Sequence, residues 1–387
     1  MKLTILFSLT FLFCIYTTAT ELAFVCEPAE NWTALFDRTD GWIAGDGIYS
    51  FGMEGKSTQG SLNEHSKTIF TFSDSLFGGV HPDGSYKAGL VMTNHAVAIL
   101  TGNKPDSANM QFFHNTNADG RASNLFDRNY WMNDGIVIDS VMYSTGVVVN
   151  PRTWEMTGPW MIEIPIRDEQ LHFSETKATP VALFDKQGDY EVLLGIGICD
   201  QGNDIYVYGF RDKKGESFYR RQLLVAKAPR QSYSDISTWR FWSGTRWSEQ
   251  IADCNRDEAA LAEAMSNELS VTKMIGGCCD GKFVLVYTEG CIGTKLNFAV
   301  AEKPNTKFIG TTTFYECPEP KVFEKEIKEK YGTKAVVYTY NAKAHPRLSQ
   351  PGELLISYNV NAMGLQEGAI FAEKKYGFPR FVLLKLP

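Results

Sequence analysis

The sequence predicts a single all-β domain, and within that class a five-bladed β-propeller with short helical insertions. Three observations carry the prediction. The dominant hydrophobic period is two, as in Thr68-Ile69-Phe70-Thr71-Phe72 and Tyr190-Glu191-Val192-Leu193-Leu194. Turn dipeptides such as Asp46-Gly47, Asp83-Gly84, Asp134-Gly135 and Asp280-Gly281 stand between the apolar runs. No Pro/Gly/Ser-rich linker or shift of composition divides the 387 residues, of which 44% are hydrophobic and 21% charged, so disorder and low complexity are excluded.

Lys2, the apolar run Leu3 to Tyr16 and Thr17-Thr18-Ala19-Thr20 read as a secretory signal peptide over residues 1–20, leaving 21–387 as the propeller. Strand groups centre near 45–100, 130–150, 180–227, 268–316 and 335–385. So many short strands need an architecture that manages sheet edges, and radial repetition does so. A sandwich of this length would be unusually large, and a β-helix, the remaining alternative, wants regular shorter repeats. The last blade is expected to be closed by terminal strands, with Phe381–Leu386 pairing near the strands of the first blade. Phe323, Ile327 and Tyr331, ahead of Gly332, predict a short amphipathic helix over about 320–331. A second helix is expected over about 257–267.

A net charge of −7 gives no basic footprint for nucleic acid, and no stretch after the signal peptide could span a membrane. The mature protein is therefore expected outside the cytoplasm, extracellular or periplasmic, as a soluble monomer. Its seven cysteines are an odd number, too sparse for a disulfide scaffold in a chain this large. A Cys278–Cys291 bridge across a hairpin is open, beside the plainer reading of buried thiols. There is no CxxC, no close histidine pair among the six histidines, no oxygen-rich calcium loop and no nucleotide-binding motif. Neither metal nor cofactor is expected.

Carboxylates remain as the candidate chemistry. Asp46 sits between glycines before a strand in Gly45-Asp46-Gly47; Asp74 ends a strongly apolar strand in Phe72-Ser73-Asp74-Ser75; Asp134 follows Tyr130-Trp131-Met132-Asn133. A fourth polar cluster runs through Tyr340-Asn341 to His345-Pro346 and on to Asn359-Val360-Asn361. Taken singly, each acid is a turn residue, and His345 is a hydrogen-bonded core histidine. Recurrence changes this, because acids at equivalent strand ends of successive blades converge on one end of a central channel. Glycoside hydrolysis needs such a pair, one carboxyl protonated and one ionised. Trp42, Tyr130, Trp131, Trp239, Trp242 and Trp247 are candidate platforms for sugar rings.

The succession Gly45-Asp46-Gly47-Ile48-Tyr49-Ser50, Phe72-Ser73-Asp74-Ser75, Trp131-Met132-Asn133-Asp134-Gly135, Tyr206-Val207-Tyr208-Gly209, Leu224-Val225-Ala226-Lys227, Ala344-His345-Pro346, Ser357-Tyr358-Asn359-Val360-Asn361 and Pro379-Arg380-Phe381 resembles a family of secreted five-bladed propellers. That family, long filed as a domain of unknown function, includes bacterial endo-D-arabinanases. The resemblance implies a glycoside hydrolase acting on a furanoside-type polysaccharide, with Asp46 and Asp74 as the catalytic pair. Trp131, Asp134, His345, Asn359, Asn361 and Arg380 would then bind substrate. The chain departs from the family at Ser73-Asp74-Ser75, where Gly-Asp-Thr is usual, and by an insertion-like segment over about Glu54 to Lys67. A non-catalytic carbohydrate-binding propeller and a protein-interaction propeller are the alternatives.

Overall fold

The computed structural model describes residues 22–150, 152–153, 155–186, 189–215, 220–365 and 372–387. The expected signal peptide lies outside the described residues. Among them, five sheets of four or more strands follow one another along the chain, beside a three-stranded and a two-stranded sheet. The first is built on Tyr49–Gly52, Lys67–Phe72, Ala96–Thr101 and Met110–Phe113; the second on Tyr130–Ile138, Val141–Val149 and Met156–Arg167. The third centres on Tyr190–Gln201, Asp204–Lys213 and Gln222–Pro229, and the fourth on Leu269–Lys273, Phe283–Thr288, Lys295–Ala301 and Ile309–Glu316. The fifth joins Val336–Ala344, Glu353–Met363 and Arg380–Lys385 to the N-terminal strand Val25–Pro28.

The near-continuous apolar runs follow from burial on both faces. In Phe283–Thr288, Val284 and Val286 enter a core shared with Val337 and Ile356 of the fifth sheet. Leu285 and Tyr287 enter a core shared with Tyr208 and Val225 of the third. Side chains of this size each contribute roughly 1.5–3 kcal/mol on burial. Similar cores join the first sheet to the second, through Phe51, Ile69 and Met142, and the second to the third, through Ile136, Val192 and Leu224. A last core, through Phe36, Phe70, Leu355 and Phe381, returns from the fifth sheet to the first. The five sheets thus pack in cyclic succession, meeting through side chains.

Terminal strands close the last sheet as expected, and the C-terminal one lies near the first sheet without pairing with it. The C-terminal strand pairs with Glu353–Met363 and with Val25–Pro28, in the register Val25↔Lys385, and forms no ladder with the first sheet. It reaches the first sheet only through side chains, as where Phe381 stacks on Phe36 at 5.3 Å beside Phe70. The helix Glu319–Tyr331 forms as expected and ends at Gly332, whose φ of 65° suits glycine. The helix expected over 257–267 does not form. A single 3-10 turn at Asp257–Ala259 leads into backbone bonds between Leu261, Ala262 and Leu223, so pairing with a strand takes the groups a helix would use. The seven cysteines among the described residues are all free thiols, which excludes the Cys278–Cys291 bridge. Cys278 is exposed, whereas Cys291 is buried against Arg221. No helix among the described residues is long and apolar enough to cross a membrane.

The strands Tyr49–Gly52, Tyr130–Ile138, Tyr190–Gln201, Leu269–Lys273 and Val336–Ala344 lie beside one another in that order. Three of them carry a bulge, between Met132 and Gly135, Leu194 and Gly197, and Tyr340 and Lys343. A bulge unpairs backbone and re-aims side chains, and two of these bulges carry polar residues, Asn133 and Asp134 in one and Asn341 and Lys343 in the other.

Candidate active site

Asp46 and Asp74 belong to two turns fastened to each other. The Asp46 amide donates to the Asp74 carbonyl at 3.0 Å, and the Ser73 amide donates to the Asp46 carbonyl at 2.8 Å. Gly47 permits this approach: its φ is +64°, and a Cβ there would lie 2.3 Å from Ser73 Oγ. Asn359 Nδ2 donates to the Gly45 carbonyl at 3.1 Å, fixing the same turn from the fifth sheet.

The two carboxyls face different partners. Asp46 Oδ2 accepts one hydrogen bond, from Tyr340 Oη at 2.9 Å. Asp74 Oδ1 accepts two, from Trp131 Nε1 at 2.9 Å and Asn94 Nδ2 at 3.0 Å. Burial holds the Asp46 carboxyl well above the usual carboxylate range, and the charges of Asp74 and Glu268 push the same way; Tyr340 and Lys343 oppose. Burial also raises Asp74, against the two N–H donors that favour its ionised form. Indole and amide N–H groups can only donate, whereas a tyrosine hydroxyl can also accept. The surroundings therefore favour the proton on Asp46 and the charge on Asp74.

Glu268 completes the acidic cluster. It stands just before the strand Leu269–Lys273, pairs with the fully buried Lys343, and accepts from Asn341 Nδ2 at 3.0 Å. The bulge at Tyr340–Lys343, with Asn341 at a φ of 58°, supplies Tyr340, Asn341 and Lys343 to the cluster together. Glu268 stands one residue before its strand and Asp46 three residues before Tyr49–Gly52, so both are acids at the start of an inner strand. The rule that selected Asp46 applied to it equally, although Ser266-Asn267-Glu268 lacks the Asp-Gly signal. Tyr340 and Lys343 lay inside a cluster read mainly through His345.

The remaining expected site residues divide. Trp131 is half-buried and bonded to Asp74. Asp134 lies farther along its strand; its carboxylate accepts from the amides of Gly135 and Ile198, each at 2.8 Å, and burial raises its pKa to about 7. His345 corrects the expectation of a sugar-binding role. It is fully buried, its ring nitrogens engage Ser50 and Ser357 at 2.8 Å each, and burial pulls its pKa down to about 3. Arg380 is likewise committed internally, with Nε on Glu319 at 3.0 Å and Nη1 on the Phe378 carbonyl at 3.0 Å. Asn361 accepts from the adjacent Ala362 amide at 2.8 Å. Of the aromatic candidates, Trp42, Trp239 and Tyr130 are core residues, and Trp242 packs on Trp247 at 5.2 Å at the edge of the third sheet.

The fold is shared with a solved protein from Bacteroides ovatus described as a "putative hydrolase", at a TM-score of 0.68 and 17% identity over 93% of this chain and 90% of that one. Lower similarity extends to Bacillus subtilis levansucrase, at a TM-score of 0.48 and 9% identity over 90% and 84% of the two chains. A GH43_1 enzyme from Xanthomonas citri matches at a TM-score of 0.42 and 11% identity over 92% of each chain. No curated protein matches the sequence. Residues 29–382 match the family described as Domain of unknown function (DUF5005), and the chain belongs to that family.

Proposed function

We propose that this protein is a secreted glycoside hydrolase, that its five larger sheets are the blades of a propeller, and that Asp46 and Asp74 are its catalytic pair. The observation that carries the reading is the unequal environment of two carboxyls held on interlocked turns. Asp46, kept protonated by burial and neighbouring charge, donates its proton to the leaving glycosidic oxygen. Asp74, held as the anion by Trp131 and Asn94, attacks the anomeric carbon or activates the water that does. Glu268 raises Asp46 by its charge, and Lys343 limits that rise. The substrate class we propose is a furanoside-type, arabinan-like polysaccharide, and the hydrolase description of the Bacteroides ovatus protein agrees with the reaction type.

Release of reducing ends from arabinan and a panel of other polysaccharides tests the reading. Asp46→Asn and Asp74→Asn should fold normally and lose about 10²–10⁴-fold in rate, the scale of a lost proton transfer. Retention of sugars without cleavage by the wild type would replace the hydrolase by a carbohydrate-binding protein. Near-full activity in either Asn variant would remove that residue from the pair.

A further inference from the structure

None of Asp46, Asp74, Trp131, Glu268 or Tyr340 lines a cavity of about 460 Å³ that lies among the larger sheets. Its walls come from Phe51 of the first sheet, Asp134 and Ile136 of the second, Ile198 and Gln201 of the third, and Thr272 and Met274 of the fourth. On the first, second and fourth of these strands the lining residues follow the acid cluster in the chain, so this space lies farther along the shared inner strands, with its lining residue Tyr49 packed against Lys343 at 4.4 Å. Volumes of roughly 300–1,000 Å³ are usual for small-molecule sites.

The segment over residues 54–67, which the hydrolase reading leaves without a role, builds one wall. It contributes Ser57 and Thr58 to the lining. Gln59, 5% exposed, clamps it: its Nε2 donates to the carbonyls of Gln350 and Glu353 at 3.2 and 2.6 Å, and its Oε1 accepts from the Ile275 amide at 2.7 Å. Arg347, fully buried, holds the start of the segment through Glu54 at 2.7 Å. Within this rigid frame Thr272 is 5% exposed, and its Oγ1 has no hydrogen-bond partner among the described residues. A buried hydroxyl lining a cavity without a partner is one that a ligand can satisfy.

The charges on the wall define the ligand. Asp200 is paired with Arg230 and accepts from the Gly202 amide at 2.9 Å. Asp280 accepts from the Gly276 amide at 2.6 Å, and Asp134 is occupied by two amides. Burial raises Asp134 toward neutrality. No cage of free carboxylates is left for a cation, and Lys273 is a single cation where an anion site would need a cluster. What the cavity offers is apolar surface from Phe51, Ile136, Ile198 and Met274 interspersed with hydroxyl, amide and peptide groups. We propose that it binds a small uncharged polyhydroxy ligand, a mono- or disaccharide, at a site separate from the acidic mouth and independent of hydrolysis.

Calorimetric titration of the full mature protein with D-xylose, L-arabinose, D-glucose and cellobiose tests this, with tetramethylammonium chloride and inorganic phosphate as charged probes. At least one of the sugars should bind. The exposed Thr58→Trp, which plugs the opening, should weaken that binding at least ~10-fold, and Thr272→Val, which removes one hydrogen bond without changing shape, by about 3–10-fold. Trp131→Ala, at the acidic mouth, should leave it unchanged. The proposal fails if none of the sugars binds, if only a charged probe binds, or if binding survives Thr58→Trp and disappears in Trp131→Ala.

Discussion

Replacing Lys343 by methionine keeps the length of the buried stem and deletes the ammonium that neutralises Glu268. Lys343 is fully buried and the Glu268 side chain 13% exposed, so solvent cannot substitute for the lost partner. Breaking a buried pair from one side costs about 3–5 kcal/mol, because the surviving charge is stranded. Asn341 still donates to Glu268 at 3.0 Å, which places the expected loss near the lower bound, ~3 kcal/mol. Glu268→Gln should cost a similar amount by stranding the ammonium over the Tyr49 ring, which lies 4.4 Å away. In the double variant Lys343→Met/Glu268→Gln neither charge remains, and the cycle should show at least ~2 kcal/mol of recovery relative to the sum of the singles. Urea unfolding followed by tryptophan fluorescence measures all four proteins. Additivity within about 0.5 kcal/mol would refute the claim that the two charges act as a buried pair. The functional sign follows from the same residue. Lys343 lowers both Asp46 and Asp134, so its removal should raise both and move the pH–rate profile to the alkaline side.

Gly47→Ala should destabilise by roughly 1–3 kcal/mol, since a side chain there meets both a positive φ and Ser73; thermal unfolding reads it, and an unchanged midpoint would mean that the turns are not interlocked. Trp131→Phe keeps an aromatic face but removes the donor to Asp74. It should depress hydrolysis more than binding, whereas Trp131→Ala should weaken oligosaccharide binding by about 1–3 kcal/mol; equal effects on both would make Trp131 a packing residue. His345 should show no imidazole titration by NMR between pH 5 and 8, because its folded pKa is about 3; a transition near 6.5 would contradict its burial. Asp134 is raised to about 7, so the folded state holds a proton that the unfolded state releases. Stability contributed there falls as pH climbs from about 4 to about 7, and Asp134→Asn should flatten thermal stability over that window.

Strand grouping was legible in the sequence because burial on both faces leaves long apolar runs, and the helix Glu319–Tyr331 because its period and Gly332 agree. Asp46 and Asp74 were legible as acids at strand ends, and their meeting required only that the two turns carrying them be bonded to each other. Partners fixed by distant chain were not legible. Tyr340 reaches Asp46 across 294 positions, and Glu268 meets Lys343 across 75, with nothing local to mark either contact. His345 and Arg380 carry the right chemistry for a sugar hydroxyl, but local sequence does not reveal that Ser50, Ser357 and Glu319 already occupy them. The helix missed at 257–267 failed for a similar reason, since Leu223 offers Leu261 and Ala262 a strand partner from far upstream.

The pairing of Val25–Pro28 with Arg380–Lys385 has a mechanical consequence. Val25 lies opposite Lys385 and Pro28 opposite Val382, so the outer ends of the two strands emerge side by side. Tension applied to both ends of the chain would load the ladder one rung at a time, as a zipper, instead of shearing all rungs together. The seam should therefore part at low force, before any other sheet yields, and reseal when the load is released. The same adjacency makes this corner the natural place to join the termini and cut the ring elsewhere, at an exposed turn such as Asp83-Gly84.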